Sequence, residues 1–164
     1  MLKFFVGVAL VAFSSLIGYK LSSKYRKRRV FYCQICDFNE HFIGELAYYR
    51  RPLNVFLFHH KYRGEFQILI EQFYLGLRNS DLFANGVFDT ALFSFLSNEE
   101  KEDIKNHFKM VGKGDSASQR NYFISVKDEW LSQRKEAETQ CKKYADLYVK
   151  LGFLFGLFVL VLIV

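Results

Sequence analysis

The chain ends on YVKLGFLFGLFVLVLIV, residues 148–164, and from Leu151 to Val164 there is no polar side chain. A helix on the surface of a soluble core keeps a polar face, and this stretch has none. Leu151–Val164 as a helix would rise only about 21 Å, short of a hydrocarbon core of roughly 30 Å. Started at Leu147, the segment rises about 27 Å. Lys150 then falls in its first turn, where the ammonium snorkels to the headgroups while the stem stays apolar. The tail is predicted to be a membrane span over 147–164.

The opposite end reads MLKFFVGVALVAFSSLIGYK, with no charge from Phe4 to Tyr19. A signal peptide places its cations before the apolar stretch and a small-residue cleavage site after it. Here only Lys3 precedes, whereas Lys20, Lys24, Arg26, Lys27, Arg28 and Arg29 follow. That asymmetry predicts an uncleaved anchor over 1–20 and a basic flank over 21–29, whose side of the membrane is cytoplasmic. Lys142, Lys143 and Lys150 precede the second span and agree. Both termini are then expected outside, with the centre of the chain in the cytoplasm.

The net charge of +6 changes meaning once it is divided. Residues 30–146 hold 15 Lys+Arg and 17 Asp+Glu, so the basic excess belongs to the membrane flanks. A nucleic-acid partner is not expected, because such binding needs clustered cations that displace counterions. The run KYRKRR, residues 24–29, can touch anionic lipid, although its role as a topology signal is enough to account for it.

Within 30–146 the apolar residues recur at helical spacing. Phe31, Ile35, Phe38, Phe42, Leu46 and Tyr49 form one stripe on a helix ending before Pro52. PLNVFLFHH starts a second helix with proline in its tolerated first turn. GEFQILIEQFYLGLRN and DLFANGVFDTALFSFL are further candidates, with breaks at Gly64, Asn79–Ser80 and Asn85–Gly86. SNEEKEDIKNHFKMVG opens on Ser97 with Glu100 three residues later, a capping box, and closes on Gly112. Asp115 caps a last helix that meets no proline or glycine until Gly152. Its stripe is Phe123, Val126, Trp130, Ala137, Cys141, Tyr144 and Tyr148, so one helix is expected from about Ser116 into the membrane. With no strand signal competing, the fold class is all-α: an antiparallel helical bundle over 30–146 between two membrane helices.

Reactive chemistry finds little support. Cys33 and Cys36 form CQIC, which in a βαβ setting suggests redox work. Here the pair lies in a helical stripe with no strand before it, and the ordinary reading is two small residues at a helix interface. His59 and His60 point to different faces, while His41 and His107 stand alone. A Cys/Cys/His/His zinc site matches no standard spacing. VGKGDSAS lacks the spacing of a phosphate loop. Glu99, Glu100, Glu102 and Asp103 lie in a first helical turn, where negative charge suits the helix dipole, and read as a solvated face. No enzyme, metal or cofactor is expected.

Three local patterns, in order, resemble the stage III sporulation protein AB family. In ELAYYRRPL, Glu45, Leu46, Tyr48, Pro52 and Leu53 fit the first; in VGKGDSASQ, Gly112, Asp115 and Gln119 fit the second, with Val111 in place of leucine. In KLGFLFGL, Leu151, Gly152, Phe153 and Gly156 fit the start of the second span. The aromatic NVFLFHH departs from the more polar helix expected after Pro52–Leu53. The resemblance implies a cytoplasmic domain similar to that of the type II secretion F platform protein, and a role in the membrane complex joining mother cell and forespore. It implies two partners: a cytoplasmic secretion-type ATPase, stage III sporulation protein AA, and small multi-span membrane proteins. It leaves homo-oligomerisation open.

The expected mechanism is that the bundle docks the ATPase and the helix 116–164 carries its position into the membrane. Pro52 and Asp115 then serve as helix starts, and Gly152 with Gly156 lets another span approach closely. Two other functions remain: a general secretion or pilus platform, which would normally carry two copies of the domain, and a membrane-anchored redox or metal protein using Cys33, Cys36 and the histidines.

Overall fold

A computed structural model describes residues 2–78 and 91–163, and every regular element among them is helical. These are α1 (Leu2–Gly44), α2 (Leu53–His59), α3 (Glu65–Arg78), α4 (Asn98–Met110), α5 (Ser116–Ser125), α6 (Lys127–Gln140) and α7 (Asp146–Ile163). Two π-turns, Glu45–Tyr49 and Cys141–Ala145, and a 3-10 turn at Ala91–Phe93 complete the set. The expected breaks at Asn79–Ser80 and Asn85–Gly86 lie outside the described residues. So does most of DLFANGVFDTALFSFL, whose described part is the 3-10 turn and not an α-helix.

Two compact units emerge, Val30–Lys135 and residues 1–29 with 136–164. In the first, aromatic rings fill the core. Phe31, Ile35, Phe38 and Phe42 of α1 are all buried, as the spacing predicts. Phe38 is the hub: its ring lies 5.1 Å from Phe108, 5.7 Å from Phe56 and 6.0 Å from Phe66, mostly edge-on or tilted. Such offset arrangements let one π-face meet another ring's positive edge. The stripe stops short of its predicted end, however. Tyr49 is 68% exposed, because α1 gives way at Gly44 to a π-turn that rotates the following side chains.

Caps set the remaining boundaries. Gly64, with φ +60°, breaks the chain before α3. Ser97 accepts the Glu100 backbone N–H while the Glu100 carboxylate accepts that of Ser97, a complete capping box on α4. Glu100 also accepts the Tyr32 hydroxyl at 2.6 Å, so this carboxylate works in the fold and is not simply solvated. Pro52 is the residue before α2 and not its first member. The last helix is one path in three pieces: α5 bends at Val126 into α6, and the π-turn Cys141–Ala145 leads into α7. At the bend, Asn39 of α1 donates to the Phe123 carbonyl at 3.0 Å.

The histidines are more connected than expected. His107 is buried, accepts Trp130 Nε1–H at Nδ1 (3.3 Å), and lies among Phe38, Phe108 and Phe123. Burial pushes its pKa down to about 3. His41 does not stand alone: its ring stacks on His60 at 4.0 Å, nearly parallel. Burial, and then the neighbouring His41, hold His60 below the usual histidine range.

The other unit pairs the start of α1 with α7. Gly18 and Gly152 face each other so closely that a Cβ on Gly18 would lie 2.5 Å from the Tyr148 carbonyl oxygen. A Cβ on Gly156 would lie 2.8 Å from Val11 Cα. Ser14 donates its hydroxyl to the Gly152 carbonyl. The glycines of the tail thus receive a helix from their own chain, where the sequence suggested a neighbouring span. Higher up, Arg28 donates to Gln140 (3.0 Å) and meets Glu136 (3.7 Å), and Arg26 meets Asp146 (3.9 Å). The run Ser116–Leu162 is long and apolar enough towards its end to cross a membrane.

Candidate functional site

The two central sequence motifs meet at one corner. The π-turn Glu45–Tyr49 leads into Arg50, whose backbone is left-handed (φ 50°, ψ 34°) and whose N–H returns to the Glu45 carbonyl at 2.9 Å. A π-turn leaves an extra residue in the helix and occurs often at functional sites. A non-glycine residue in the left-handed region costs about 1 kcal/mol, so the surroundings must hold it there. Glu45 does so. Its buried carboxylate accepts Arg51 Nη2 at 2.7 Å, Arg51 Nε at 3.0 Å, and the Arg51 backbone N–H at 2.7 Å. Burial works against the charged carboxylate, but the Arg51 bonds outweigh it and hold Glu45 below the usual range. The Arg51 guanidinium also lies over the Tyr49 ring at 4.8 Å.

Across from this corner, the second motif is stapled by Gln119. Its Oε1 accepts the Gly112 N–H (3.0 Å) and its Nε2 donates to the Gly114 carbonyl (3.2 Å). Both glycines have positive φ, +79° and +78°, so the turn depends on them. Asp115 accepts the Ala117 and Ser118 N–H groups at 2.9 Å each, and the Ser118 hydroxyl at 2.7 Å. The Ser118 bonds hold its carboxyl below the usual range. Gly112 packs on Leu53, where an added Cβ would come within 3.3 Å of Leu53 Cδ2.

Between the motifs lies a cleft of about 170 Å³, lined by Phe42, Glu45, Leu46, Arg50, Leu53 and Gln119 among others. Phe42, Leu46, Leu53 and Phe56 give it apolar walls, and Glu45 and Gln119 add polar groups. Its rim carries Arg50, which has no carboxylate within ion-pair distance among the described residues. In the adjoining π-turn, Tyr48 is 82% exposed. Of the predicted motif residues, the fold therefore brings Glu45, Leu46, Leu53, Gly112 and Gln119 to one cleft. Pro52 and Asp115 start the helices beside it, and Tyr48 points away. Sequence reasoning assigns no role to Arg50 or Arg51; for Arg51, its place directly before Pro52 and six positions after the acidic Glu45 is the available signal.

In the membrane-flank unit, Gly152 and Gly156 contact α1, whereas Leu151 and Phe153 are half exposed. Ser14 and Gly18, four residues apart, are the contact row on α1 that sequence reading missed. Lys20, Lys24, Arg26, Lys27, Arg29 and Lys150 are exposed, and Arg28 is half-buried against Glu136 and Gln140. The redox reading fares poorly in this geometry. Cys36 is buried, its thiol donates to the Trp130 carbonyl (3.3 Å), and burial pushes its pKa up to about 12. None of the three cysteines is in a disulfide. Among the described residues no three His, Cys, Asp or Glu side chains come together as a metal set.

Among the described residues the fold is helical, and the long run ending in a span-like apolar segment points to a membrane-associated protein. The chain belongs to the stage III sporulation protein AB family, whose model matches residues 3–164. That family is a sporulation family and not a known family of enzymes. No curated protein and no solved structure matches the chain.

Proposed function

We propose that this protein is a two-span membrane platform of the complex joining mother cell and forespore, with both termini outside and the unit Val30–Lys135 in the cytoplasm. There it docks a secretion-type ATPase, stage III sporulation protein AA, and its membrane helices meet small multi-span proteins of the same complex. The cytoplasmic unit is read as similar to the type II secretion F domain, and the run from Ser116 to Ile163 is the route by which docking reaches the membrane.

One observation carries the docking reading: both central motifs build a single corner, and beside its cleft the chain offers Tyr48, Tyr49 and Arg50 to solvent. Tyrosine and arginine are the side chains that dominate protein interfaces, and a solvent-exposed pair of tyrosines beside an unpaired arginine is poor use of a surface otherwise. Neither catalysis nor metal binding requires this arrangement. A general secretion platform would use the same surface, and co-purification separates the two readings.

The full chain, purified in neutral detergent, is expected to retain the sporulation ATPase. Arg50→Glu and Tyr48→Ala should each weaken that association about tenfold or more, while the single tryptophan, Trp130, keeps its buried emission. Absence of ATPase binding by the unaltered chain would sink the docking reading. Topology needs introduced thiols, because Cys36 and Cys141 would resist a reagent through burial alone. With the native cysteines replaced by serine, a cysteine at exposed Asn106 should resist an impermeant reagent in intact cells and react after permeabilisation.

A further inference from the structure

The paired helices of residues 1–29 and 136–164 enclose an open groove of about 560 Å³. Its walls are Phe13, Ile17 and Leu21 of α1 and Leu151, Phe155 and Val159 of α7. Gly18 and Gly152 form its floor, since neither adds a side chain to the space. Almost nothing polar faces it. A groove of this volume and apolar character suits a hydrocarbon chain.

What lies at its upper end narrows the choice of occupant. The α1 row Leu10, Phe13 and Ile17 continues at helical spacing into Lys20 and Lys24. Both lysines are exposed, and neither has a carboxylate within ion-pair distance among the described residues. The nearby acids are engaged: Asp146 with Arg26 and Glu136 with Arg28. Tyr148 also lines the groove, and Tyr25 stacks on it at 5.7 Å, placing amphipathic rings where headgroups begin. An apolar slot that ends in two unpaired cations is complementary to one molecule with an acyl chain and an anionic head.

We propose that this groove binds an anionic phospholipid, one acyl chain lying over Gly18 and Gly152 and the phosphate held by Lys20 and Lys24. The inference rests on the membrane reading above and adds a site of defined stoichiometry to it. A second protein's span would want the groove apolar along its whole length; the lysines at its end favour lipid.

The test uses the full chain in neutral detergent with equal phosphatidylglycerol and phosphatidylcholine, followed by native mass spectrometry. One phosphatidylglycerol per chain is expected, preferred about tenfold over phosphatidylcholine. Lys20→Gln with Lys24→Gln should abolish the preference, and Ile17→Trp, which fills the slot, should remove bound lipid of both kinds. Equal retention of the two lipids by the unaltered chain, or an unchanged preference in the double variant, overturns the proposal. So does a lipid-free dimer, which would put a second copy's helix in the groove. Alkaline carbonate extraction separates the two levels. A chain washed off membranes removes both readings, whereas a chain that stays but shows no headgroup preference removes only the lipid site.

Discussion

At the scale of single residues, two buried polar groups decide how this protein responds to mutation and acid. Glu45 is held by Arg51 through both its side chain and its backbone. Glu45→Gln keeps the shape but leaves the guanidinium without its counter-ion, and is expected to cost about 2 kcal/mol. Urea unfolding of the full chain, followed by Trp130 emission, should show the midpoint fall accordingly. His107 gives the pH dependence. Its pKa is about 3 in the fold against an ordinary 6.5, so the unfolded chain takes up a proton that the native one refuses. Its contribution is therefore complete above pH 6.5 and declines as pH falls towards 3, by about 2 kcal/mol at pH 5. His107→Leu should unfold more easily at pH 7, since Trp130 loses its acceptor, yet lose less further stability between pH 6.5 and 5. Sequence reading located Glu45 in a motif but not its partner. It left His107 unassigned, since a buried histidine looks like any other until its neighbours are known.

At the scale of elements, the caps were the most legible features. Ser97 with Glu100, Asp115, Gly64 and Gly112 all stand at helix ends, because a cap is a local bargain between a side chain and backbone groups within four residues. What escaped was everything set by packing at a distance: the π-turn after Gly44, the bend at Val126, and the fusion of the N-terminal apolar stretch with the first stripe into one helix, Leu2–Gly44. Helical periodicity does not announce where one extra residue is accommodated. The turn 112–114 offers a comparison within one element. Gly112→Ala meets both a left-handed backbone and Leu53, whereas Gly114→Ala meets only the former, with open space around it. Destabilisations of about 2 and about 1 kcal/mol are expected, again read by urea midpoints on Trp130.

At the scale of the molecule, charge and architecture divide along the same line. Residues 1–29 and 136–164 carry 10 basic and 3 acidic side chains, and Val30–Lys135 carries 13 and 14. That segregation was readable from sequence, as was the apolar tail. The pairing of the two ends was not, because Ser14, Gly18, Gly152 and Gly156 carry no mark that says which partner they serve. It has a direct check. A Cβ built on Gly7 lies 3.8 Å from Leu160 Cβ, inside the range of a disulfide. In a chain cleared of its native cysteines, Gly7→Cys with Leu160→Cys should cross-link within one polypeptide under mild oxidation. Cross-links only between chains would mean that the glycines serve a neighbour.

The π-turn Cys141–Ala145 has a consequence for how this chain can vary in length. Above it Gln140 meets Arg28, and below it Gly152 meets Gly18, so one helix must present two contact rows to a single partner helix. Each residue added or removed turns everything beyond it by about 100°. The wide turn works as a phase adjuster that lets both rows face α1 at once. Losing one residue there would keep the residues of both contact rows yet turn the glycines about 100° away from α1.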